Sequence, residues 1–227
     1  MNFIQGVTRL ASECVIAGVV PGSLTGITDQ NLASLKAWFN TAWMDIQSIH
    51  PDWKWKRKSV SFTTVTGQHV YTLANMSVTD FGFWERNTFR VYPTSVGTKS
   101  ETFLPYRDYD SWRNVYQFGA YRTTYSRPYE VTVTPANYIG LGPAPDSTGY
   151  TIIGDYFSVP TELSADTDTP DLPAEFHMAI VYLAMQYFGR ARMVPEVLAR
   201  GEIEYKKMLY RLEQRYLPEV VQAEPLA

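Results

Sequence analysis

The stretch from Leu35 to Val65, LKAWFNTAWMDIQSIHPDWKWKRKSVSFTTV, changes from helical to strand character in its middle. Its first half places apolar residues three and four positions apart, which is typical of a helix that buries one face. Pro51 ends this period, because the residue before a proline is pushed out of the α region. From Ser59 onward, β-branched and aromatic residues alternate with polar ones, which indicates a strand. The chain therefore passes here from a helical part into a β-rich part.

Two helices are predicted up to this point. Asn2 can cap the first, and the second begins at Thr28 or Asp29 and runs to Ile49. The segment Gly18–Gly26 between them contains proline, glycine and serine and is predicted to be a loop. The apolar stripe of the first helix consists of Phe3, Val7, Leu10, Ala11 and Cys14. That of the second consists of Leu32, Leu35, Phe39, Ala42, Trp43, Ile46 and Ile49.

Short segments rich in β-forming residues follow, separated by proline and glycine. They are residues 59–65, 70–73, 88–92, 101–104, 129–134, 138–141 and 150–157. The first two flank Gly67 and are predicted to form a hairpin. A short helix, Tyr109–Phe118, interrupts the series. Many short strands with frequent turns favour an antiparallel sheet or a small sandwich.

The C-terminal part of the chain returns to a helical period. Pro173 suits the first turn of one helix, which is apolar on most of its faces. The final helix is predicted from Pro195 to Leu217, and Pro218 ends it. Positive charge suits the C-terminal end of a helix, where this one carries Lys206, Lys207, Arg211 and Arg215.

The predicted order is therefore helix, helix, β region, helix, helix, and the fold class is α+β. We expect residues 1–55 and 170–227 to form a four-helix bundle from the N- and C-terminal helices. Residues 56–169 are expected to form an inserted antiparallel β domain with one short helix.

The composition excludes several classes of protein. With 45% hydrophobic and 19% charged residues, the 227-residue chain can bury a core and is not a disordered chain. A net charge of −3 argues against nucleic-acid binding as the main role, because neutralising phosphates requires a basic excess. The aromatic content of 15% fits either large buried interfaces or a tyrosine-rich β domain.

Neither a secretion signal nor a membrane span is predicted. The N-terminus lacks a basic region followed by an apolar run, and no apolar stretch approaches the ~20 residues that cross a bilayer. Cys14 is the one cysteine, so no disulfide forms within the chain, which fits synthesis in a reducing cytosol. Its apolar helical register favours a buried, inert thiol.

The sequence carries no recognisable catalytic or metal-binding motif. His50, His69 and His177 have no metal-ligand spacing, and phosphate-binding, dinucleotide and G-x-S-x-G patterns are absent. The acidic run Asp166–Asp171 lacks the central glycine and the final glutamate of a calcium loop, which indicates a linker. We expect no cofactor, no metal and no catalytic residue.

Two alternatives remain open. Aromatic residues together with carboxylates also fit a glycan-binding or glycan-hydrolysing cleft, whose candidate carboxylates are Asp108, Asp110, Asp155 and Glu162. A basic cluster interleaved with tryptophans consists of Trp53, Lys54, Trp55, Lys56, Arg57 and Lys58. It fits a solvated junction with core tryptophans, then a protein contact, then a single-stranded nucleic-acid contact, in that order of preference.

Two blocks of the chain carry a family resemblance. The first is Leu35–Trp55, and the second is Asp155–Gly189, DYFSVPTELSADTDTPDLPAEFHMAIVYLAMQYFG. In the second, a strand ends at Pro160, an Asp-rich loop follows, and Leu172-Pro173 leads into a helix with the pair Phe176-His177. Both blocks resemble the head-to-tail adaptor proteins of tailed bacteriophages, also called connector or head-completion proteins. The opening and final helices fit as well, so the resemblance covers nearly the whole chain.

This resemblance implies a virion structural protein without catalytic activity, made in the host cytoplasm and located at the head-tail junction. Such adaptors dock as a ring of twelve subunits on the portal protein, extend the DNA channel and carry the tail or nozzle proteins. Double-stranded DNA passes through the ring non-specifically, and no membrane is involved. The near-neutral net charge suits a channel wall that DNA slides past.

Two interaction regions are predicted from this role. The final helix and the tail after Pro218 are assigned to the portal, because they combine an apolar stripe, a basic end and an unanchored terminus. The β region is assigned to neighbouring subunits and the next tail protein. The predicted interface residues are Trp53, Trp55, Trp84, Trp112, Lys206, Lys207, Arg211, Arg215, Tyr216 and Leu217.

Overall fold

The structure is a computed structural model that describes residues 1–14, 22–26 and 28–218. The chain divides into two compact units, each described by itself below. The helical unit comprises the described parts of Met1–Lys56 and Pro160–Ala227, and the β unit comprises Arg57–Val159. Helices and antiparallel sheets occur in separate parts of the sequence, which confirms the predicted α+β class.

Four helices make up most of the helical unit, namely α1 (Phe3–Glu13), α2 (Gln30–Ile49), α4 (His177–Arg192) and α5 (Pro195–Tyr216). Asn2 caps α1 as predicted by accepting from the Gln5 backbone N–H, and its own backbone N–H donates to the Gln5 side-chain oxygen. Asp29 caps α2 by accepting from the backbone N–H of Asn31. The predicted loop Gly18–Gly26 lies partly outside the described residues, and the tail after Pro218 lies wholly outside them.

Helix α4 packs against α1, α2 and α5. Ten of its sixteen residues are buried, as expected from a helix that is apolar on most faces. Glycines bring it close to α5, because a Cβ on Gly201 would lie 2.9 Å from the carbonyl oxygen of Tyr182. By contrast, α5 buries only Gly201 and Leu212 and leaves a long face exposed.

The β unit contains two antiparallel sheets. Its strands are β1 (Arg57–Thr63), β2 (Val70–Tyr71), β3 (Phe81–Pro93), β4 (Thr102–Phe103), β5 (Glu130–Val133), β6 (Ile139–Gly142) and β7 (Tyr150–Ser158). The strand order is β1-β7-β3-β4 in one sheet and β2-β6-β5 in the other. Strands β1, β2, β3, β5, β6 and β7 all contribute side chains to one hydrophobic core.

The predicted hairpin around Gly67 is wrong. Strand β1 pairs along its whole length with β7, from Arg57 opposite Phe157 to Thr63 opposite Thr151, whereas β2 pairs with β6 in the other sheet. The reason is that β7, with nine residues, is long enough to form backbone hydrogen bonds along all seven residues of β1. Strand β2, with two residues, is too short to do so. The segment with Gly67 therefore carries the chain from one sheet to the other.

Helix α3 (Tyr109–Tyr116) covers β6. Asp108 caps it, accepting from the backbone N–H groups of Asp110 and Ser111. The glycines of β6 make room for its aromatic rings, since a Cβ on Gly142 would lie 2.4 Å from the Tyr116 ring. Small residues on the strand thus determine where this short helix docks.

Candidate interaction surfaces

The tryptophans that follow α2 pack back against it. The Trp55 ring lies 5.6 Å from that of Trp43 and 6.0 Å from that of Trp53. Trp53 is fully buried, and its indole N–H donates to the carbonyl oxygen of Ile46 over 3.0 Å. Trp53 is therefore a core residue, and Trp55 is half-buried against the same core.

The cations beside these tryptophans are mostly engaged within the chain. Arg57 bonds to the Asp155 carboxylate over 2.7 Å, and Lys58 bonds to Asp80 over 2.6 Å. Lys56 is buried, which lowers the pKa of its ammonium group, although the charge of Asp171 opposes that shift. This arrangement favours the junction interpretation of the basic cluster over a nucleic-acid contact, because paired cations hold phosphates poorly.

Trp84 and Trp112 lie inside the β unit. The indole N–H of Trp84 donates to the carbonyl oxygen of Asn137 over 2.9 Å, and 5% of its surface is exposed. Trp112 is fully buried beside Tyr109 and Tyr116. A buried side chain offers no area to a partner, so contact through these two residues requires the β unit to open.

Helix α5 presents an outer face that combines positive charge with apolar side chains. Beyond exposed Pro195 and Glu196 in the first turn, its exposed residues recur at three- and four-residue spacing and are Ala199, Arg200, Ile203, Lys206, Lys207, Tyr210, Arg211, Gln214 and Arg215. Ile203 is 55% exposed and Tyr210 is 64% exposed. Large apolar side chains beside cations are the residue types that anchor protein interfaces.

Several cations of this face already have partners. Lys207 pairs with Glu204 at 2.7 Å and Arg215 with Glu175 at 2.6 Å. Across the part of the chain that the structure describes, no carboxylate lies within ion-pair distance of Lys206 or Arg211. These two side chains are the cations of the outer face that are open to a partner.

Arg200 fastens α5 to α1. Its guanidinium lies 2.6 Å from the Glu13 carboxylate, which also accepts from Arg9 at 2.6 Å. Only 8% of the Glu13 side chain is exposed, so its charge is balanced by two cations at the helix contact.

Tyr216 and Leu217 close the end of α5. The Tyr216 ring meets the Phe176 ring edge-on, with the ring centroids 5.9 Å apart. Tyr216 and Leu217 are both half-buried against the helical core. They anchor the last turn of α5, whereas Lys206, Lys207, Arg211 and Arg215 point outward. The predicted interface set is thus split between core tryptophans, helix anchors and exposed cations.

The titratable residues weighed for chemistry have structural partners. His177 is buried, and its Nε2 lies 2.7 Å from the carbonyl oxygen of Leu172; His50 lies 3.1 Å from Glu213. Burial and the neighbouring Glu13 charge raise the pKa of the Cys14 thiol to about 12, so it stays protonated. Within the described ranges, no group of three or more histidine, cysteine or acidic side chains is arranged to hold a metal ion.

The acidic side chains also serve local structure. Asp166 accepts from the backbone N–H of Leu24, and Asp168 accepts from the backbone of Ser164 and Ala165. Asp155 is held by Arg57 and by the Ser59 hydroxyl at 2.7 Å. It is the one carboxylate in a surface cavity of about 490 Å³ on the first sheet. A glycan hydrolase requires two carboxylates across a cleft, which this cavity does not supply.

Sequence reasoning missed two exposed apolar features. Ile203 and Tyr210 are seven residues apart, on the opposite side of α5 from the predicted stripe, and this spacing was available as a signal. In the β unit, residues 111–129 contain three arginines and no acidic residue, and they expose Phe118, Tyr121, Tyr125 and Tyr129. The absence of acidic residues from this run was the available signal there.

Among the described residues, no helix combines the length and the apolar character that crossing a membrane requires. The sequence matches the family model described as SU10 adaptor protein over residues 2–223. A search of curated proteins returned no significant match.

Proposed function

Because the chain belongs to the SU10 adaptor protein family, whose match spans nearly its whole length, we propose that it is a structural head-to-tail adaptor of a bacteriophage virion. In this proposal the protein docks as a ring on the portal, extends the DNA channel and carries the next tail protein. The family match over residues 2–223 is the observation that carries the proposal. The virion location at the head-tail junction and the twelve-subunit ring are parts of the same proposal.

The helical unit is the part that we assign to the portal and to ring formation, as a four-helix bundle. Support comes from the outer face of α5, where Lys206 and Arg211 have no carboxylate partner among the described residues and lie beside Ile203 and Tyr210. Exposed cations beside large apolar side chains are suited to a protein contact that begins with electrostatic attraction. The tail after Pro218 is assigned to the same contact on its sequence alone.

A structural role without catalysis agrees with what the functional groups do. Asp155 is held by Arg57, Asp108 caps α3, and the Cys14 thiol is buried. Each of these groups is explained by local structure.

Mass photometry of the purified chain, alone and mixed with the portal ring of its phage, tests the proposal. We expect the portal particle to gain the mass of a full ring of subunits. A portal particle that gains no mass at any salt concentration would contradict the adaptor function.

The contribution of α5 can be separated from that of net charge. We expect Lys206→Glu with Arg211→Glu to weaken portal loading by roughly tenfold or more, since each reversal replaces attraction with repulsion. The matched control is Arg86→Glu with Lys99→Glu, which changes two exposed cations of the β unit by the same charge. Equal loading of both double variants would remove the outer face from the portal contact.

The tail is tested by deleting residues 218–227. A truncated chain that still loads the portal normally would confine docking to the folded helices. Loss of loading, with the thermal unfolding temperature unchanged, would assign docking to the tail.

A further inference from the structure

The β unit contains a positively charged groove that the adaptor assignment does not explain. It has a volume of about 410 Å³ and is lined by His69, Arg113, Tyr116, Gln117, Phe118 and Arg122. We call it the arginine groove. Two guanidinium groups and an imidazole face it, and no acidic side chain lines it.

One guanidinium group of the groove is supported without a carboxylate. The guanidinium carbon of Arg113 lies 5.1 Å from the centre of the Phe118 ring, so the ring face supports it and leaves its N–H edges open. The ring nitrogens of His69 lie 3.4 Å from the carbonyl oxygens of Leu141 and Arg122, so the backbone of Arg122 lies beside the strand. The Arg113 donors are therefore open to an anion, and the Arg122 side chain lines the same groove.

The carboxylate next to the groove is already engaged. Glu130 accepts from Arg107 over 2.9 Å and lies 3.2 Å from the Tyr116 hydroxyl. Neither Arg113 nor Arg122 has an ion pair with any residue in the described ranges. Both guanidinium groups are exposed and are therefore open to an anion from a partner.

Exposed tyrosines extend the surface around the groove. Tyr121 precedes Arg122 and is 61% exposed, and Tyr129 is 56% exposed with its hydroxyl 2.9 Å from that of Tyr116. Tyr125 is 48% exposed, and its ring would lie 3.4 Å from a Cβ on Gly67, close to His69 in the chain. Tyrosine and arginine are the residue types enriched at the centres of protein interfaces.

We propose that the arginine groove binds the carboxylates of an acidic segment of a partner protein, with the surrounding tyrosines covering the contact. Charge complementarity determines the occupant, because two unpaired guanidinium groups in fork geometry match carboxylates. A nucleic-acid strand fits less well, since exposed Asp110 lies one turn before Arg113 on α3 and Asp108 precedes it. A phosphate backbone running along α3 would pass both carboxylates and be repelled by them, whereas a short acidic segment needs to contact the groove alone.

The identification of this partner as the next tail protein rests on the proposed function. The groove itself does not, because its argument uses only the geometry of the β unit. The experiment therefore keeps carboxylate binding and ring assembly apart.

The first measurement is an NMR titration of the full chain with a blocked tetraglutamate peptide, followed through the arginine side-chain Nε–H signals and, in every variant, through the backbone amide signals. We expect saturable shifts at Arg113 and Arg122, and no response to blocked tetraglutamine. The variant Arg113→Gln/Arg122→Gln should bind at least roughly tenfold more weakly, because it removes charged donors worth more than one hydrogen bond.

The control variant is Arg86→Gln, which removes a second exposed arginine supported by an aromatic ring, with Arg86 4.9 Å from the Tyr106 ring. Equal peptide affinity in this control and in the double groove variant would overturn the proposal. Saturation of the Arg113 and Arg122 signals by a short single-stranded oligonucleotide at lower concentration than by the peptide would also overturn it.

Portal loading of the double groove variant separates the two proposals. We expect the variant to load the portal like the unaltered chain and then fail to recruit the next tail protein. If the chain binds the peptide but does not load the portal, the adaptor function is contradicted and the carboxylate-binding proposal stands. Normal recruitment by the variant would show that the groove does not hold the tail protein.

Discussion

The helical unit and the β unit both close their cores with glycine, but they bring different groups together. In the helical unit, Gly189 and Gly201 face backbone atoms of the opposite helix, so α4 and α5 approach closely. In the β unit, Gly142 and Gly154 face the rings of Tyr116 and Phe89. The contact between α4 and α5 thus depends on a helix-to-helix distance, whereas the contacts at Gly142 and Gly154 depend on where buried rings are placed.

The two units also have separate cores. One hydrophobic cluster contains residues of the helical unit only, and the other contains residues of the β unit only. Damage to one core should therefore lower the stability of its own unit first. The following predictions test this comparison, beginning with the largest effect.

Truncation of a central tryptophan should unfold one unit before the other. Trp112→Ala and Trp53→Ala each remove a fully buried ring, which costs about 3–5 kcal/mol in unfolding free energy. Hydrogen exchange followed by mass spectrometry should show faster exchange in residues 57–159 for Trp112→Ala. For Trp53→Ala it should show faster exchange in the helices. If the hydrogen-exchange rate increases uniformly over the whole chain in both variants, the two units unfold together.

Adding a methyl group at a glycine contact should lower the unfolding free energy by less than removing a buried tryptophan ring does. Gly201→Ala places a Cβ 2.9 Å from the Tyr182 carbonyl oxygen, and Gly154→Ala places one 2.5 Å from the Phe89 ring. Each should lower the unfolding free energy by about 1–3 kcal/mol through overpacking. Chemical denaturation is the measurement, and Gly22→Ala is the control, because no atom of the described residues lies within 4 Å of its added Cβ.

If the backbone contact at Gly201 adapts less than the ring contact at Gly154, Gly201→Ala should lower the unfolding free energy more than Gly154→Ala does. A ring can tilt within its cavity, whereas α4 and α5 must separate along their length. The opposite order would show that ring placement is the tighter constraint.

The two units should lose stability in different pH ranges, with the smallest effect of the series. Burial lowers the pKa of His177, although its bond to the Leu172 carbonyl opposes the shift. Its neutral form is therefore favoured on folding, and this stability is lost as the pH falls below the usual histidine value. Partial burial would raise the pKa of Asp80, but hydrogen bonds from Lys58 and Tyr156 lower it overall. That contribution is lost only as the pH falls below the usual aspartate value.

Lowering the pH from 7.5 to 5.5 should thus lower the thermal unfolding temperature of the helical unit and leave that of the β unit nearly unchanged. The variant His177→Gln should be less stable throughout and should lose much of this pH dependence. A pH dependence equal to that of the unaltered chain would show that His177 does not cause it.

The helices were predictable because their signals are local. The spacing of apolar residues indicated the register of α2, and Pro218 indicated the end of α5. Asn2 marked the start of α1, and the start of α2 was narrowed to Thr28 or Asp29, of which Asp29 is the cap. Most strands were also located, because alternation and turn residues act over a few positions. The partner of β1 was not predictable. Strand β7 lies almost a hundred residues further along the chain, and the sequence contains several other strands that could pair with β1.

By itself, the sequence determined the α+β class, the position of each helix and the resemblance to bacteriophage adaptors, because these depend on neighbouring residues and local motifs. Only the tertiary structure decided which aromatic side chains face outward. Trp53, Trp84 and Trp112 read as interface residues but are buried, whereas Phe118, Tyr121 and Tyr210 are exposed. The physical reason is that burial depends on packing between segments distant in sequence, and one residue type serves a core and an interface equally well.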